Sequence, residues 1–382
     1  MSTNAAGPRA VVVGAGPAGL ATALRLERRF PGRDEVLVLD RSGVAASWRA
    51  RYAELRLNTT RSTSALPGRP IPRSAGRWPS RDDYVGYLEA AASSLRTPPQ
   101  TGVRVLRVVG DPGRGWTVVT DVGPVSTLNV VVATGHDAVP HIPDWAKGTS
   151  YRGELQHVGN LGRLADFAGR RVVVVGAGNS GIDIAGHLAG VGAETVVAMR
   201  TPPTIVPREH LGIPVQRVAV ATRWLPVRTR DAMASATARL TTGDLARYGV
   251  PRPSVGPYTR FARSGVTVAV DSGFVQALRD GRVRVVPAAV GLTPHGLQVA
   301  DGSVIDADVV ILATGFRCGL EQLVGHLGVL DPTGRPLPPL PGPTASAEGL
   351  FFAGFRPAVD GTLRRHAADA RDIASRVRNR TH

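Results

Sequence analysis

The sequence has very little cysteine and almost no lysine, since Cys318 and Lys147 are the only examples among 382 residues. A single thiol excludes a disulfide framework, a Cys-x-x-Cys redox pair and a zinc ribbon. No apolar run reaches the roughly 18 residues of a membrane-spanning helix, and residues 1–9 lack the apolar segment of a signal peptide. We therefore expect a cytoplasmic protein without a membrane span, large enough to form a core without covalent cross-links.

Motifs of metalloenzymes and serine hydrolases are also missing. The sequence contains no His-Glu-x-x-His pattern, no Cys/His cluster with metal-ligand spacing and no Gly-x-Ser-x-Gly. The first two patterns bind zinc, and the third carries a serine nucleophile. We expect neither a metal site nor serine-based acyl transfer.

Acidic residues are outnumbered, with 30 Asp and Glu against 46 Lys and Arg and a net charge of +16. Such a balance is compatible with a nucleic-acid partner or with an anionic, phosphate-rich cofactor. The arginines are scattered, however, with no block of like charge. We expect no nucleic-acid partner, and a non-enzymatic nucleotide- or nucleic-acid-binding protein stays the alternative that this charge leaves open.

What the sequence does contain is a strand–turn–helix–strand pattern at its N-terminus. A buried strand is predicted over residues 10–13, the turn Gly14–Gly19 has the form Gly-x-Gly-x-x-Gly, and a helix follows over 20–29. A second strand over 36–40 ends in Asp40. The glycines let the backbone approach a diphosphate at a helix N-terminus, and an acid about 20 residues later accepts ribose hydroxyls. This pattern predicts a site for a dinucleotide with an unmodified ribose.

The pattern is repeated in the middle of the chain with one change. A strand over 171–175 leads into Gly176–Gly181, and a helix is predicted over 182–188. The next strand, over 195–200, ends in Arg200 instead of an acid. A cation there fits a 2′-phosphate, although a solvated surface arginine is the simpler alternative. We predict that the second site binds NADPH.

Two dinucleotide sites in one chain indicate electron transfer between two cofactors. FAD has an unmodified ADP ribose and can accept a hydride from NADPH, so we assign FAD to the first site. Because Cys318 has no partner cysteine in the sequence, it is interpreted as a core residue, and disulfide reduction is excluded. Molecular oxygen is the remaining general electron acceptor.

A second repeat suggests how the domains are arranged. Residues 130–135 and 309–315 are both apolar strands that end in Ala-Thr-Gly. We predict an α/β fold with two Rossmann-like dinucleotide-binding domains, in which an NADPH domain (151–304) is inserted into a discontinuous FAD domain (1–150 and 305–382). A capping box at Ser80 and a C-terminal helix over 363–377 are also predicted, whereas residues 201–258 show no clear pattern.

The segment before the second glycine turn carries a family resemblance. Residues 151–161 are similar to the Phe-x-Gly-x-x-x-His-x-x-x-Phe/Tyr motif of the flavin-containing monooxygenases, with Gly153 and His157 in place. Tyr151 and Leu161 stand where the motif has its aromatic ends, and Leu161 departs from the ending of Baeyer–Villiger enzymes. The chain therefore resembles this family in a degenerate form of its motif.

Other segments resemble the plant indole-3-pyruvate monooxygenases and their bacterial relatives, and together they cover nearly the whole chain. They are residues 48–67, 207–212, 224–226, 252–257 and 311–316. The resemblance implies FAD, NADPH and O2, with one oxygen atom delivered to a small organic substrate through a C4a-(hydro)peroxyflavin. Decarboxylative oxidation of a 2-oxo acid, a step on a specialised metabolite, N- or S-oxidation, Baeyer–Villiger insertion and an oxidase that releases hydrogen peroxide stay open.

The candidate catalytic residues are Asn58, by resemblance to an asparagine in this loop, and His157, for which we favour a role in fixing a loop. Substrate is expected to reach the flavin through a cleft between the domains. The predicted cofactor-binding residues are Gly14, Gly16, Pro17, Ala18, Gly19, Asp40, Arg41, Trp48, Thr134, Gly135, Gly176, Gly178, Asn179, Ser180, Gly181, Arg200, Arg208, Thr314, Gly315 and Gly354.

Overall fold

The computed structural model describes residues 7–111, 114–148, 150–342, 347–356, 358 and 361–377. These residues form two compact units. The first unit draws on Met1–Arg49, Thr59–Val139 and Phe316–His382, and the second on Ala50–Asn58 and Pro140–Gly315. The second unit thus includes a nine-residue loop, residues 50–58, that interrupts the first unit in the sequence.

The strands come first in chain order. They are β1 (Ala10–Val13), β2 (Val36–Asp40), β3 (Gln100–Thr101), β4 (Val105–Asp111), β5 (Gly115–Thr120), β6 (Gly123–Thr127), β7 (Asn129–Val132), β8 (Val139–Pro140), β9 (Glu154–His157), β10 (Arg171–Val175), β11 (Glu194–Ala198), β12 (Ile205–Pro207), β13 (Glu209–His210), β14 (Ile213–Pro214), β15 (Ala269–Asp271), β16 (Val283–Val286), β17 (Ala289–Thr293), β18 (Gly296–Val299), β19 (Val304–Asp306), β20 (Val309–Leu312), β21 (Phe316–Arg317) and β22 (Leu350–Phe352).

The α-helices follow the same convention. They are α1 (Pro17–Arg29), α2 (Ala46–Arg49), α3 (Arg81–Ala92), α4 (Asn179–Gly190), α5 (Val215–Ala221), α6 (Val227–Thr241), α7 (Pro257–Ser264), α8 (Phe274–Arg279), α9 (Glu321–Val324) and α10 (Thr362–Arg376). The predicted capping box is confirmed at the start of α3, where Ser80 and Asp83 exchange side-chain and backbone hydrogen bonds. The predicted C-terminal helix is confirmed as α10.

The first unit is built on a parallel sheet with the order β22-β7-β1-β2-β3. The strands β1 and β7 are buried along their whole length, as expected of parallel strands that are covered on both faces. The chain continues from β1 to β2 on one side, whereas β7 lies on the other. The turn after β1 therefore lies at a topological switch point, where such folds bind ligands.

The second unit repeats this plan with the order β16-β11-β10-β20-β9, again parallel. Its central strand β10 has β11 on one side and β20 on the other, so the turn after β10 is a second switch point. The strand β20 pairs along its length with β10, with Ile311 opposite Val174. The predicted boundary at residue 305 instead places this strand in the FAD domain, whereas the second unit extends to Gly315. The apolar run of β20 identifies a buried strand without showing which of two similar sheets it joins.

Each unit also carries a small antiparallel sheet, β4-β5-β6 in the first and β17-β18-β19 in the second. The side chain of Cys318 is buried in the hydrophobic core of the first unit, which confirms its interpretation as a core residue. Within the described residues, no helix is long and apolar enough to cross a bilayer.

Residues 201–258, which the sequence pattern could not place, form short strands and the helices α5 and α6 before α7 begins. No residue of α6 is buried. Without a buried face, a helix carries no consistent apolar period in its sequence. The lack of a buried face on α6 explains why the sequence pattern does not predict a helix there.

Candidate functional site

The turn after β1 forms a cradle that only glycine can build. At Gly14 the backbone has φ +114°, and a Cβ atom would lie 2.5 Å from the carbonyl oxygen of Ala133. A Cβ on Gly19 would lie 1.8 Å from the carbonyl oxygen of Gly14. By contrast, a Cβ on Gly16 would meet no atom within 4 Å. The turn is therefore closed against the sheet and open above Gly16, where a ligand backbone can approach the N-terminus of α1.

The helix α1 begins at Pro17, whose missing N–H costs nothing in a first turn. The neighbouring Ala18 is buried, and its Cβ would lie 2.8 Å from a Cβ placed on Gly354, where φ is +84°. The backbone N–H of Gly354 donates to the Asp369 carboxylate at 3.0 Å. The structure thus brings Gly354 against the start of α1 and commits its N–H to the protein.

The acid at the end of β2 is held in a fixed place. One carboxylate oxygen of Asp40 accepts from the N–H of Ala15 at 2.8 Å, and the other accepts from Ser42 and Gly43 at 2.8 and 2.9 Å. These bonds join Asp40 to the glycine turn and keep its charge beside the N-terminus of α1. A carboxylate at this position accepts ribose hydroxyls in dinucleotide sites.

The other predicted cofactor-binding residues of the first unit are Arg41, Trp48, Thr134 and Gly135. Thr134 follows β7, and its buried hydroxyl oxygen has no hydrogen-bond partner among the described residues. Gly135 has φ +80°. Arg41 donates to the carbonyl oxygen of Ala138 at 3.2 Å, whereas Trp48 packs edge-on against Tyr84 of α3, with ring centroids 4.8 Å apart. The glycine cradle, Asp40 and the unsatisfied Thr134 hydroxyl fit a bound dinucleotide.

The turn after β10 reproduces the cradle of the first unit. Gly176 has φ +111°, and a Cβ there would lie 2.5 Å from the carbonyl oxygen of Ala313. A Cβ on Gly181 would lie 1.9 Å from the carbonyl oxygen of Gly176, and one on Gly178 would meet nothing within 4 Å. The second unit therefore has the same closed turn with the same opening at its middle glycine, beside the N-terminus of α4.

The first two residues of α4 are Asn179 and Ser180. The Asn179 side chain donates to Thr267 and to the carbonyl oxygen of Val268, at 3.1 and 2.8 Å, and accepts from the N–H of Val270 at 2.9 Å. Its role in the turn is therefore to fasten the segment before β15 to the helix. Ser180 is half-buried, and the backbone N–H groups of this first helical turn are what a diphosphate would use.

Arg200 follows β11 at the position that corresponds to Asp40 of the first unit. Its side chain is exposed, and it forms no hydrogen bond or ion pair with any other residue in the described ranges. A cation that the protein does not neutralise is available for a phosphate group. The geometry fits a nucleotide with a 2′-phosphate, and the assignment stays a prediction.

The structure brings Asn58 and Arg208 together at the second glycine turn. The Asn58 amide nitrogen lies 3.3 Å from the side-chain oxygen of Asn179, and Arg208 reaches the Asn58 oxygen at 3.4 Å. Gln216 donates to the backbone carbonyl of Asn58. Asn58 therefore lies in the second unit, beside the N-terminus of α4.

His157 is held by the backbone at both ring nitrogens. Its Nδ1 accepts from the N–H of Gly159 at 3.1 Å, so its Nε2 carries the hydrogen and donates to the carbonyl oxygen of Gly315 at 2.9 Å. Thr314 donates to the carbonyl oxygen of His141 at 2.5 Å. These contacts tie together the ends of β9 and β20, and they favour the positioning role of His157 over a catalytic one.

Sequence reasoning missed a buried carboxylate, Asp183, on the inner face of α4. It accepts hydrogen bonds from the hydroxyls of Tyr52 and Ser272, and Arg208 lies 3.9 Å away. Burial, and then the Asp183 charge, raise the pKa of Tyr52 well above its ordinary value. The available signal was an acid between the apolar residues Ile182 and Ile184, since an unpaired acid is unfavourable on a buried face.

A second missed group lies in the first unit. His366, on α10, is buried beside Gly354. Burial, and then the charge of His136, lower the pKa of His366 to about 4. No group of three His, Cys, Asp or Glu side chains in the described part of the chain could hold a metal ion.

Comparisons with known proteins agree with this geometry. Residues 11–216 match the family model described as pyridine nucleotide-disulphide oxidoreductase. The chain is 34% identical to the indole-3-pyruvate monooxygenase YUCCA1 of Oryza sativa subsp. japonica, over 91% of this chain and 86% of that protein. It is 31% identical to the probable indole-3-pyruvate monooxygenase YUCCA9 of Arabidopsis thaliana, over 97% and 88%.

Solved structures show the same fold. A flavin-containing monooxygenase from Stenotrophomonas maltophilia superimposes with a TM-score of 0.70 at 25% identity, over 96% of this chain and 97% of that chain. The complex of OTEMO with FAD and NADP superimposes with a TM-score of 0.74 at 19% identity, over 97% and 84%. The second similarity concerns the fold alone.

Proposed function

The chain belongs to the flavin-containing monooxygenases, a family of enzymes that use FAD and NADPH, and we propose that it inserts one oxygen atom of O2 into a small 2-oxo acid. The observation that carries this proposal is the pair of glycine cradles, one beside Asp40 and the other beside the unneutralised Arg200. Two such sites in one chain suit two dinucleotides that exchange electrons. When bound, FAD accepts a hydride from NADPH and passes electrons to O2.

We assign FAD to the first unit. Gly14 and Gly19 hold the turn closed, Gly16 leaves room for the diphosphate at the N-terminus of α1, and Asp40 receives the ribose hydroxyls. The Thr134 hydroxyl, which has no partner within the described ranges, supplies a further polar contact. Each of these groups binds or orients, and none transfers a proton.

We assign NADPH to the second unit. Gly176, Gly178 and Gly181 form the matching cradle, and Arg200 receives the 2′-phosphate. Asn58 is the polar side chain that we propose for the reacting end of the site, because it lies between Asn179 and Arg208 and both of its amide atoms have partners there. An oriented carboxamide can donate a hydrogen bond without changing its charge.

A 2-oxo acid is the proposed substrate class because of the relatives named above, which are similar over nearly the whole chain. The substrate is an anion, and the chain has a net charge of +16. The balanced reaction takes a 2-oxo acid, O2, NADPH and a proton to the carboxylic acid shortened by one carbon, CO2, water and NADP⁺. The bond between the carboxylate and the oxo carbon breaks, and one oxygen atom enters the remaining acid.

The test is a substrate screen with the purified holoenzyme. NADPH oxidation, O2 uptake and hydrogen peroxide release are measured together for a panel that contains indole-3-pyruvate, other aryl and alkyl 2-oxo acids, amines, sulfides and cyclic ketones. The proposal expects CO2 release in proportion to NADPH oxidised, with little peroxide, for at least one 2-oxo acid. Coupled turnover with a ketone or sulfide only would overturn the substrate class, and stoichiometric peroxide with every compound would overturn oxygen insertion.

A further inference from the structure

The loop 50–58 is hydrogen-bonded to the rest of the second unit at residues 52–54 and at Asn58. The N–H of Ala53 donates to the carbonyl oxygen of Gly162 at 2.9 Å. The Glu54 carboxylate accepts from the N–H of Leu164 at 3.0 Å. At its end, Asn58 contacts Asn179. This loop therefore belongs structurally to the proposed NADPH unit, although the chain on both sides of it belongs to the proposed FAD unit.

The strongest attachment is the buried pair of Tyr52 and Asp183. Tyr52 is 3% exposed and Asp183 is 4% exposed, and the tyrosine hydroxyl donates to one carboxylate oxygen. Ser272 donates to the other oxygen. Because burial and the Asp183 charge raise the pKa of Tyr52, the phenol stays a donor. A buried carboxylate is tolerated only when its oxygens are paired in this way.

Because of where Asp183 lies, its hydrogen bonds affect how well an anionic ligand can bind at the second glycine turn. Asp183 lies on α4, two residues after Gly181, and the N-terminus of α4 is where a diphosphate would bind. An uncompensated carboxylate one turn into this helix would repel that diphosphate. The two hydroxyl donors stabilise the carboxylate, and the positive charge of the Arg208 guanidinium at 3.9 Å offsets its negative charge.

The contacts close a ring between the loop and the helix. Tyr52 joins the start of the loop to Asp183 on α4, and Asn58 joins its end to Asn179 on the same helix. Arg208 reaches both ends of this ring, at 3.4 Å from the Asn58 oxygen and 3.9 Å from Asp183. The buried pair of Tyr52 and Asp183 is therefore linked to Asn58 and Arg208 through α4 and through Arg208 itself.

We propose that Tyr52 and Asp183 are positioning residues for the nicotinamide cofactor: they hold Asn58 and Arg208 at the second glycine turn and so govern NADPH binding without affecting FAD. The inference rests on the proposed assignment of NADPH to this unit. The pair acts through Asn58 and Arg208, and it takes no part in the transfer of hydride or oxygen.

The test compares Tyr52→Phe with Tyr151→Phe in the FAD-loaded protein. Both substitutions remove only a phenol hydroxyl from the second unit. The Tyr151 hydroxyl donates to the carbonyl oxygen of Ala307 at 3.0 Å, whereas the Tyr52 hydroxyl donates to Asp183. Three quantities are measured: NADP⁺ affinity by calorimetry, the FAD content, and hydrogen exchange of the peptide that spans residues 50–58. A KM-against-kcat comparison for NADPH is added as a kinetic measurement.

For Tyr52→Phe we expect about a tenfold loss of NADP⁺ affinity, the size that a lost hydrogen bond to a charged group gives. We also expect faster exchange in residues 50–58 and an unchanged FAD content. Tyr151→Phe should leave affinity and exchange in residues 50–58 at wild-type values. A double-mutant cycle with Asp183→Asn should be non-additive, because both changes break the same bond.

Three results would overturn the inference. The first two are wild-type NADP⁺ affinity in Tyr52→Phe and an equal loss in Tyr151→Phe, and the third is unchanged exchange in residues 50–58. Unchanged exchange in residues 50–58 would show that Tyr52 does not hold the loop. A wild-type protein that binds no NADP⁺ would instead refute the proposed cofactor assignment, and the exchange experiment would still report on the loop itself.

Discussion

The two glycine turns are nearly the same in shape and differ in what surrounds them. In both, a Cβ on the first glycine would lie 2.5 Å from a carbonyl oxygen of the neighbouring strand end, and the middle glycine faces open space. In the first unit the acid that follows the second strand is fixed by three backbone N–H groups. In the second unit the corresponding Arg200 is exposed. The shared steric frame suits both turns to a dinucleotide, and we propose that the charged residue beyond each turn determines which dinucleotide binds there.

The largest expected effect comes from replacing the most crowded glycine of each turn, which should disrupt the two turns separately. In Gly19→Ala and Gly181→Ala the new Cβ would lie within 2 Å of a backbone oxygen of its own turn, so the turn must open. We expect Gly19→Ala to yield protein without bound FAD, and Gly181→Ala to keep FAD but lose NADP⁺ binding. Absorbance at 450 nm and NADP⁺ calorimetry measure the two outcomes.

The matched controls for this prediction are Gly16→Ala and Gly178→Ala, where a Cβ meets no protein atom within 4 Å. Both should fold with a thermal midpoint near that of the wild type, and any loss should be confined to cofactor affinity. A large fall in their thermal midpoint would contradict the steric argument.

A smaller effect is expected in the pH dependence of stability, to which a buried histidine of the first unit contributes. His366 of the first unit, whose pKa is lowered to about 4, is the buried histidine among the described residues. The unfolded chain binds a proton on His366 near pH 6.5, and the folded chain does so only near 4. Stability is therefore complete above about pH 6.5 and falls between about 6.5 and 4, by on the order of 2–3 kcal/mol.

Urea denaturation of the wild type and of His366→Gln between about pH 7.5 and 4.5 would measure this slope. The variant should show a shallower fall in the free energy of unfolding. Some slope should remain, because burial also lowers the pKa of His136 in the same unit. Equal slopes in the two proteins would mean that His366 is not the group responsible.

The smallest effect concerns the charges that distinguish the two turns. Arg200→Glu should lower the preference for NADPH over NADH by about 10- to 100-fold, the size of one or two lost charge-assisted contacts. Stability should stay near that of the wild type, since Arg200 is exposed and forms no hydrogen bond or ion pair in the described part of the chain. The ratio of kcat/KM for the two cofactors measures the change, and an unaltered ratio would remove Arg200 from the site.

The features that the sequence predicted are those encoded locally. The fold class, the family, the enzyme class and the use of FAD and NADPH are confirmed by the paired sheets and by the comparisons. Both glycine turns could be found because each lies within one strand–turn–helix stretch, and the capping box of α3 spans only Ser80 to Asp83. The boundaries of the domains and the roles of the individual site residues stay predictions.

What could not be read from the sequence depends on contacts between distant residues. Tyr52 and Asp183 are 131 positions apart, and nothing in the local pattern of either shows that they meet. The strand β20 is as apolar as β7, and only its pairing with β10 places it in the second unit. Because α6 has no buried face, its sequence lacks the helical spacing of apolar residues on which a sequence-based assignment depends.

The loop 50–58 has a consequence for anyone who wishes to exchange parts between related enzymes. A chimera that grafts only residues 140–315 would keep the bond from Ser272 to the buried Asp183 carboxylate but would lose the bond from Tyr52, at a cost in folding. The short upstream stretch must be transplanted together with the larger fragment. The exchangeable module of this enzyme is thus defined by spatial contact and is split in the gene.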